Sequence, residues 1–342
     1  MDSRLTRPAK IKLTFTAIDE LEPGAKWARL FRSLWPAYRN WWLSEGELAR
    51  PSYLESRNAI RDHMPELLAL YDELAELAGG GDQAARFLSG YSPPPYLAGC
   101  SQAVWGGTEP LLVRNYDYSP AAFDAVVLRT KWLGRRVLGV SDSLIGLLDG
   151  INDEGLAVSL TFGGRRVVGT GFGIPIVLRY ILQTCATVDE GSQVLQRIPC
   201  HMAYNVTLLD RTNRYKTVFV SPDRPAAITD AAVATNHQHE VEWSDHAKET
   251  ASVEREAFLL ERLLRQPDNE QKFLAAFHRP PLYSLSFDRG FGTLYTAVYR
   301  PAAGALELQW PGHSWQHSLT CFEEGSRRIE YRTQSTRNAG AA

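Results

Sequence analysis

Three consecutive prolines, Pro93-Pro94-Pro95, divide this chain of 342 residues into parts with different periodicities. Proline fixes φ and has no N–H, so no helix runs through 93–95 and the segment favours an extended, exposed geometry. The part before it opens with a strand-like IKLTFTAI and is then helical. Trp27, Leu30, Phe31, Leu34, Trp35, Tyr38 and Trp41 recur at helix spacing, as do Leu67, Leu70, Tyr71, Leu74 and Leu77, and Gly79-Gly80-Gly81 ends that run. The part after it alternates with a period of two. SQAVWGG and EPLLVRNYDY read as a hairpin. AFDAVVLRT, RRVLGVSD, LIGLLDGIN and GLAVSLTFG read as further strands, with Asn152-Asp153-Glu154-Gly155 as a turn. A helical stretch from 173 to 198, broken near Thr187, precedes a hairpin turned at Asp210–Asn213. AAVATNHQHEVE reads as a strand, SVEREAFLLERLLRQ and NEQKFLAAFHR as helices, and TLYTAVYRPAAGALELQWPG as a last hairpin. Blocks of strands interrupted by helical pairs predict a layered α+β architecture. The organisation is a helical segment over 1–99 and a strand-rich domain over 100–342.

Charge removes several function classes. Lys and Arg number 37 against 39 Asp and Glu, so no basic surface points to nucleic acid or to an anionic membrane. The first residues lack the long apolar run of a leader or a membrane span, which predicts a cytoplasmic protein. No GxxxxGK[ST] loop and no GxGxxG after a strand supports nucleotide binding, and no cofactor is expected. The four cysteines, Cys100, Cys185, Cys200 and Cys321, are too few for a disulfide scaffold and form no CxxC pair. Core packing is the expectation for Cys185 and Cys321. Cys200 precedes His201, but neighbouring side chains on a strand point to opposite faces and make no dyad.

A cysteine reacts as its thiolate and needs a base or a positive charge close by. Two arrangements provide one. His237 could take the thiol proton in a Cys–His pair, or the α-amine of the cysteine itself could do so if the chain were cut just before it. The reference pKa of about 8 for an α-amine suits the second route. Gly99 before Cys100 permits the backbone geometry of an N→S acyl shift. His237 and His239, with His201, are the remaining metal-ligand candidates. No Asp, Glu or Cys completes a recognisable spacing with them, so no metal is expected.

Gly99-Cys100-Ser101 followed by Arg114-Asn115-Tyr116-Asp117-Tyr118 resembles the N-terminal nucleophile hydrolases. In particular it is similar to the acyl-CoA:6-aminopenicillanic acid acyltransferase family and its choloylglycine hydrolase relatives. GINDEGLAV, MAYNVTLLDRTNRYKTVFV (with Asn213 where glycine is common) and ATNH at 234–237 match further family segments in the right order, from about 96 to about 300. The resemblance implies a four-layer αββα fold with an N-terminal helical prosegment. It also implies self-cleavage at Gly99–Cys100, with the two pieces staying associated. Cys100 would supply both thiol and amine, Arg114 and Asp117 would hold and polarise them, and Asn152 and Asn236 are the oxyanion candidates. Arg289, Thr161, Phe162 and Tyr116 are candidate substrate-binding residues. The implied reaction is attack on a small-molecule amide or acyl donor, with transfer to water or an amine. A non-catalytic binding protein on the same fold is the other reading, and a homo-oligomer is left open.

Overall fold

The computed structural model describes residues 10–264 and 269–332. Residues 1–9, read above as lacking a leader, and Arg265 and Gln266 at the end of a predicted helix lie outside them. Strand β1 (Lys10–Asp19) is followed by helices α1 (Ala25–Trp42), α2 (Tyr53–His63), α3 (Leu68–Leu77) and α4 (Asp82–Leu88). Six strands come next: β2 (Gly99–Trp105), β3 (Leu111–Tyr118), β4 (Val126–Thr130), β5 (Val137–Asp142), β6 (Gly146–Asn152) and β7 (Ala157–Phe162). Helices α5 (Ile174–Thr184) and α6 (Val188–Arg197) precede β8 (Tyr204–Leu209), β9 (Tyr215–Ser221), β10 (Arg224–Thr229) and the short β11 (Val233–Ala234). Helices α7 (Ser244–Glu249), α8 (Ser252–Leu264) and α9 (Glu270–Ala276) lead to β12 (Leu285–Ser286), β13 (Phe291–Arg300), β14 (Ala305–Trp310), β15 (His313–Ser318) and β16 (Gly325–Arg332).

Among the described residues the strands form two sheets. The larger has the order β10-β9-β8-β7-β6-β5-β4-β1-β16, the smaller β11-β2-β3-β13-β14-β15 with β12 on β13. Three apolar clusters mark three interfaces between four layers. One, from Phe15 and Val140 to Tyr295 and Trp310, fills the space between the sheets and contains Cys100. A second packs α1–α6 against the outer face of the larger sheet. The third packs α8 and α9 against the smaller sheet through Leu259, Phe273 and Phe277. An amphipathic helix and a two-faced sheet can each bury their apolar sides only in such an arrangement. The architecture is α+β with αββα layers, as the resemblance implied.

Strand β1 is bonded in parallel to β4 and antiparallel to β16. The first part of the chain is therefore part of the larger sheet as well as a helical cover. Cys185 and Thr187 break the helical stretch as expected. Thr187 caps α6 with a capping box to Glu190, which starts a new helix instead of continuing the old one. Asn213 stands at φ +64°, the left-handed conformation that asparagine tolerates best after glycine.

Three expectations are corrected. AAVATNHQHEVE is a strand only at Val233–Ala234; beyond it the chain leaves the sheet because side chains bond the 235–237 backbone, as detailed below. Cys321 is exposed, not core, since it closes a turn with Ser318. The polar alternation of HSWQHS and GSRRIEYR hid β15 and β16, which lie at the sheet edges. No helix among the described residues is long and apolar enough to cross a membrane.

Candidate active site

The β2–β3 hairpin sets the site. Its register places Cys100 opposite Tyr116 and Gly99 opposite Asp117. Alternation along β3 then puts Arg114 and Tyr116 on the face of Cys100 and Asp117 on the other. Cys100 points between the sheets and is 0 % exposed. The Arg114 guanidinium donates through Nη2 to Cys100 Sγ at 3.3 Å and lies over the Tyr116 ring, 4.6 Å from its centroid. On its other side Arg114 Nη1 meets Asp149 Oδ2 of β6 at 2.5 Å, so a fully buried ion pair links the two sheets. The hydroxyls of Tyr295 and Tyr299 also donate to Asp149. Burial works against the charged form of Arg114, but its neighbours, with the Asp149 carboxylate among them, outweigh burial and shift it upward. Burial pushes the Cys100 thiol up, Arg114 draws it down and Asp117 raises it, with a net upward shift. In the continuous chain the thiol is therefore protonated near neutral pH.

Asp117 does not reach the thiol with its carboxylate. Oδ2 accepts from Arg255 Nη1 at 2.5 Å and Oδ1 from Thr293 Oγ1 at 2.6 Å, which holds the group beside Gly99. A Cβ on Gly99 would stand 3.1 Å from Asp117 Cβ, closer than side chains ordinarily pack, so a side chain here would have to push Asp117 back by a few tenths of an ångström.

Asn236 closes the site from just beyond β11, the edge strand paired with β2. Its Oδ1 accepts the Cys100 N–H at 2.9 Å, and its Nδ2 faces the carbonyls of Ala98 at 3.4 Å and Phe162 at 3.2 Å. The Asn236 N–H is held by Ser252 Oγ at 2.8 Å. Gly164, at φ +67°, leaves room that a Cβ would fill 2.2 Å from the Asn236 carbonyl oxygen. One amide thus touches the chain on both sides of the Gly99–Cys100 bond.

The other predicted residues divide. Asn152 is not brought to Cys100. Its Nδ2 donates to the carbonyls of Leu182 and Cys185, and its Oδ1 accepts from the amides of Glu154 and Leu156, so the whole side chain ties the β6–β7 turn to the end of α5. Turn chemistry accounts for it, and no polar atom is left for an oxyanion. Thr161 is buried and bonded to the Thr235 carbonyl and to Asn205. Phe162 contributes its carbonyl to Asn236. Tyr116 lines a cavity described below. Arg289 is exposed, in a short turn ahead of β13. His237 does not reach Cys100 either: Nδ1 bonds Ser252 Oγ at 2.7 Å and Nε2 faces Glu256 at 3.1 Å. A Cys–His pair is not assembled. His201 is buried, with its pKa lowered to about 4 by burial. Among the described residues no group of three His, Cys, Asp or Glu side chains could hold a metal.

Two residues of the site escape the sequence reading. Asp149 is the one acid in the apolar run LIGLLDGIN, a signal available in the sequence. Arg255 sits in an ordinary amphipathic helix and gives none.

A search of curated proteins finds no match to this chain. Among solved structures, the chain is similar to a mutant of conjugated bile acid hydrolase from Clostridium perfringens, at 12% identity and TM-score 0.45 over 68% of this chain and 96% of that one. It is also similar to penicillin V acylase from Agrobacterium tumefaciens, at 13% identity and TM-score 0.44 over 67% and 90%. A Caenorhabditis elegans ortholog of N-acylethanolamine-hydrolyzing acid amidase matches at 15% identity and TM-score 0.44 over 67% and 99%. The model of one family, acyl-coenzyme A:6-aminopenicillanic acid acyl-transferase, matches residues 104–315, a span that starts just after Cys100 and takes in more than half of the chain. The chain belongs to the acyl-coenzyme A:6-aminopenicillanic acid acyl-transferase family.

Proposed function

We propose that this protein is a self-processing cysteine amidohydrolase or acyltransferase made as a zymogen, with Cys100 as its N-terminal nucleophile after cleavage. The observation that carries the reading is the grip of Asn236 on Cys100 N–H and on the Ala98 carbonyl, with Arg114 on the thiol. In processing, Sγ attacks the Gly99 carbonyl carbon and the C–N bond to Cys100 breaks, giving a thioester and a free amine that takes the thiol proton. Water then hydrolyses the thioester, leaving a Gly99 carboxylate and a free Cys100 thiol. In turnover the new α-amine takes the proton from Sγ as the thiolate attacks an amide or thioester acyl carbon. Arg114 favours the thiolate. Asn236 Nδ2, no longer engaged by the Ala98 carbonyl, donates to the oxyanion. The amine or thiol of the donor leaves, and water or an amine releases the acyl group. A reducing cytoplasm keeps the thiol free.

N-terminal sequencing with intact mass tests the cut: the wild type should give residues 1–99 and 100–342 as separate masses. The two pieces should elute together in size-exclusion chromatography and part only in denaturant, because β1 stays bonded between β4 and β16. Free elution of the 1–99 piece would contradict this association.

Asn236→Ala should slow acyl-enzyme formation about 10²–10³-fold, the usual worth of one oxyanion donor. Asn152→Ala should leave kcat within a few fold and lower the melting temperature instead. Burst kinetics with a chromogenic amide, set beside thermal unfolding, separates the two; a loss of kcat at Asn152 as large as at Asn236 would contradict the assignment.

A further inference from the structure

A cavity of about 260 Å³ opens one strand away from Cys100. Tyr116, the cross-strand partner of Cys100, forms one wall. Helix α1 supplies Tyr38 and Trp41, and Tyr96, Tyr118 and Phe123 add further rings. Two carboxylates, Asp124 and Asp142, also line it, and no Lys, Arg or His does. Tyr38 Oη donates to Asp124 Oδ1 at 2.8 Å and Ser143 Oγ to Asp142 Oδ2 at 2.8 Å. Asp124 Oδ2 is shielded from solvent and has no hydrogen-bond partner. The nearby cation, Arg114, is already bound to Asp149 behind the Tyr116 ring. A small, largely apolar space walled by aromatic rings, with acids and no Lys, Arg or His in its lining, suits positive charge.

We propose that this aromatic cavity takes a cationic group of the substrate, an alkylammonium or quaternary ammonium carried on the acyl donor or acceptor. The assignment of the cavity to the substrate rests on Cys100 being the nucleophile beside it; the binding of the cation does not. A bound ammonium brings a positive charge to a lining that has acids and no Lys, Arg or His, and its methyl or methylene groups meet the rings. Burial lifts Asp142 to about 6, and burial together with Asp142 lifts Asp124 well above the carboxylate range. A neutral acyl chain of the same shape would keep the dispersion contacts and bring no charge to the acids.

Calorimetric titration of the full, as-expressed protein with choline and with its neutral carbon isostere, dimethylbutanol, tests the site without chemistry. Choline should bind about tenfold tighter or more, the ordinary size of a desolvated cation–aromatic and charge contribution. Equal affinities, or tighter binding of dimethylbutanol, would overturn the proposal. The double variant Asp124→Asn, Asp142→Asn should lose the preference while still binding dimethylbutanol. The wild-type comparison stands even if that variant does not fold. Labelling of Cys100 by an acylating probe is measured on the same preparation. A choline preference without labelling keeps the cation site and removes the catalytic reading. Labelling without a preference keeps catalysis and removes the cation site.

Discussion

Cys100→Ala should yield one uncut chain where the wild type should yield two pieces, and acyl-enzyme formation should fall below detection. As proposed, this one sulfur has two tasks, attack on Gly99 during processing and attack on the acyl donor afterwards, and alanine can perform neither. Losing a catalytic nucleophile costs on the order of 10⁶ in kcat where the residues act as a unit, so this is the largest functional effect expected of any single change here. The other cysteines do not substitute. Burial pushes Cys200 up to about 12 and also raises Cys185, so neither forms thiolate near neutral pH. Cys321 is exposed, on the turn it closes with Ser318. Serine at each of the three should leave processing unchanged. Cys100→Ser should still cut, more slowly, because a hydroxyl can carry an N→O shift but ionises far less readily. Intact mass over a time course reads all of these. A wild type that stays as one mass, indistinguishable from Cys100→Ala, would overturn self-processing.

What the sequence disclosed depended on how local the cause was. The β2–β3 hairpin was legible because two short apolar runs and the Gly-Gly between them need only neighbours. That hairpin already fixes Arg114 and Tyr116 on the face of Cys100. The break between α5 and α6 was legible for the same reason, through the Thr187–Glu190 capping box. Asn152 misled because NDEG satisfies a turn with every atom of the side chain, and resemblance alone lent it a second role. Asn236 depends on contacts far along the chain: Gly164 clears its carbonyl, Ser252 holds its amide, and Cys100 is 136 residues away. The place of β1 between β4 and β16 likewise follows from long-range pairing that no local pattern encodes. The helical start of the chain was legible as helices and not as a contributor to the central sheet.

Asp149→Ala should destabilise the protein by about 3–5 kcal/mol, the cost of leaving one member of a buried ion pair without its partner. Both side chains of the Arg114–Asp149 pair are 0 % exposed, so water cannot take the place of the lost carboxylate. Three donors depend on it: Arg114 Nη1, Tyr295 Oη and Tyr299 Oη. Against a total stability of about 5–15 kcal/mol, such a loss takes a large share. It should be measured in the Cys100→Ala background, where the unfolding unit is one continuous chain and does not depend on reassociation. The double variant Arg114→Met, Asp149→Leu removes both charges and should recover most of the loss, since an apolar pair of similar volume replaces a buried ion pair at little cost. With Cys100 restored, the double variant should fold and still fail to cut, because Sγ has lost the guanidinium that stabilises its thiolate. Stability and processing would then part company at one pair of residues. A double variant that processes at the wild-type rate would show that Arg114 braces the two sheets and has no part in activating the thiol. One that remains as unstable as Asp149→Ala would show that the tyrosine hydroxyls, not the uncompensated charge, dominate the cost.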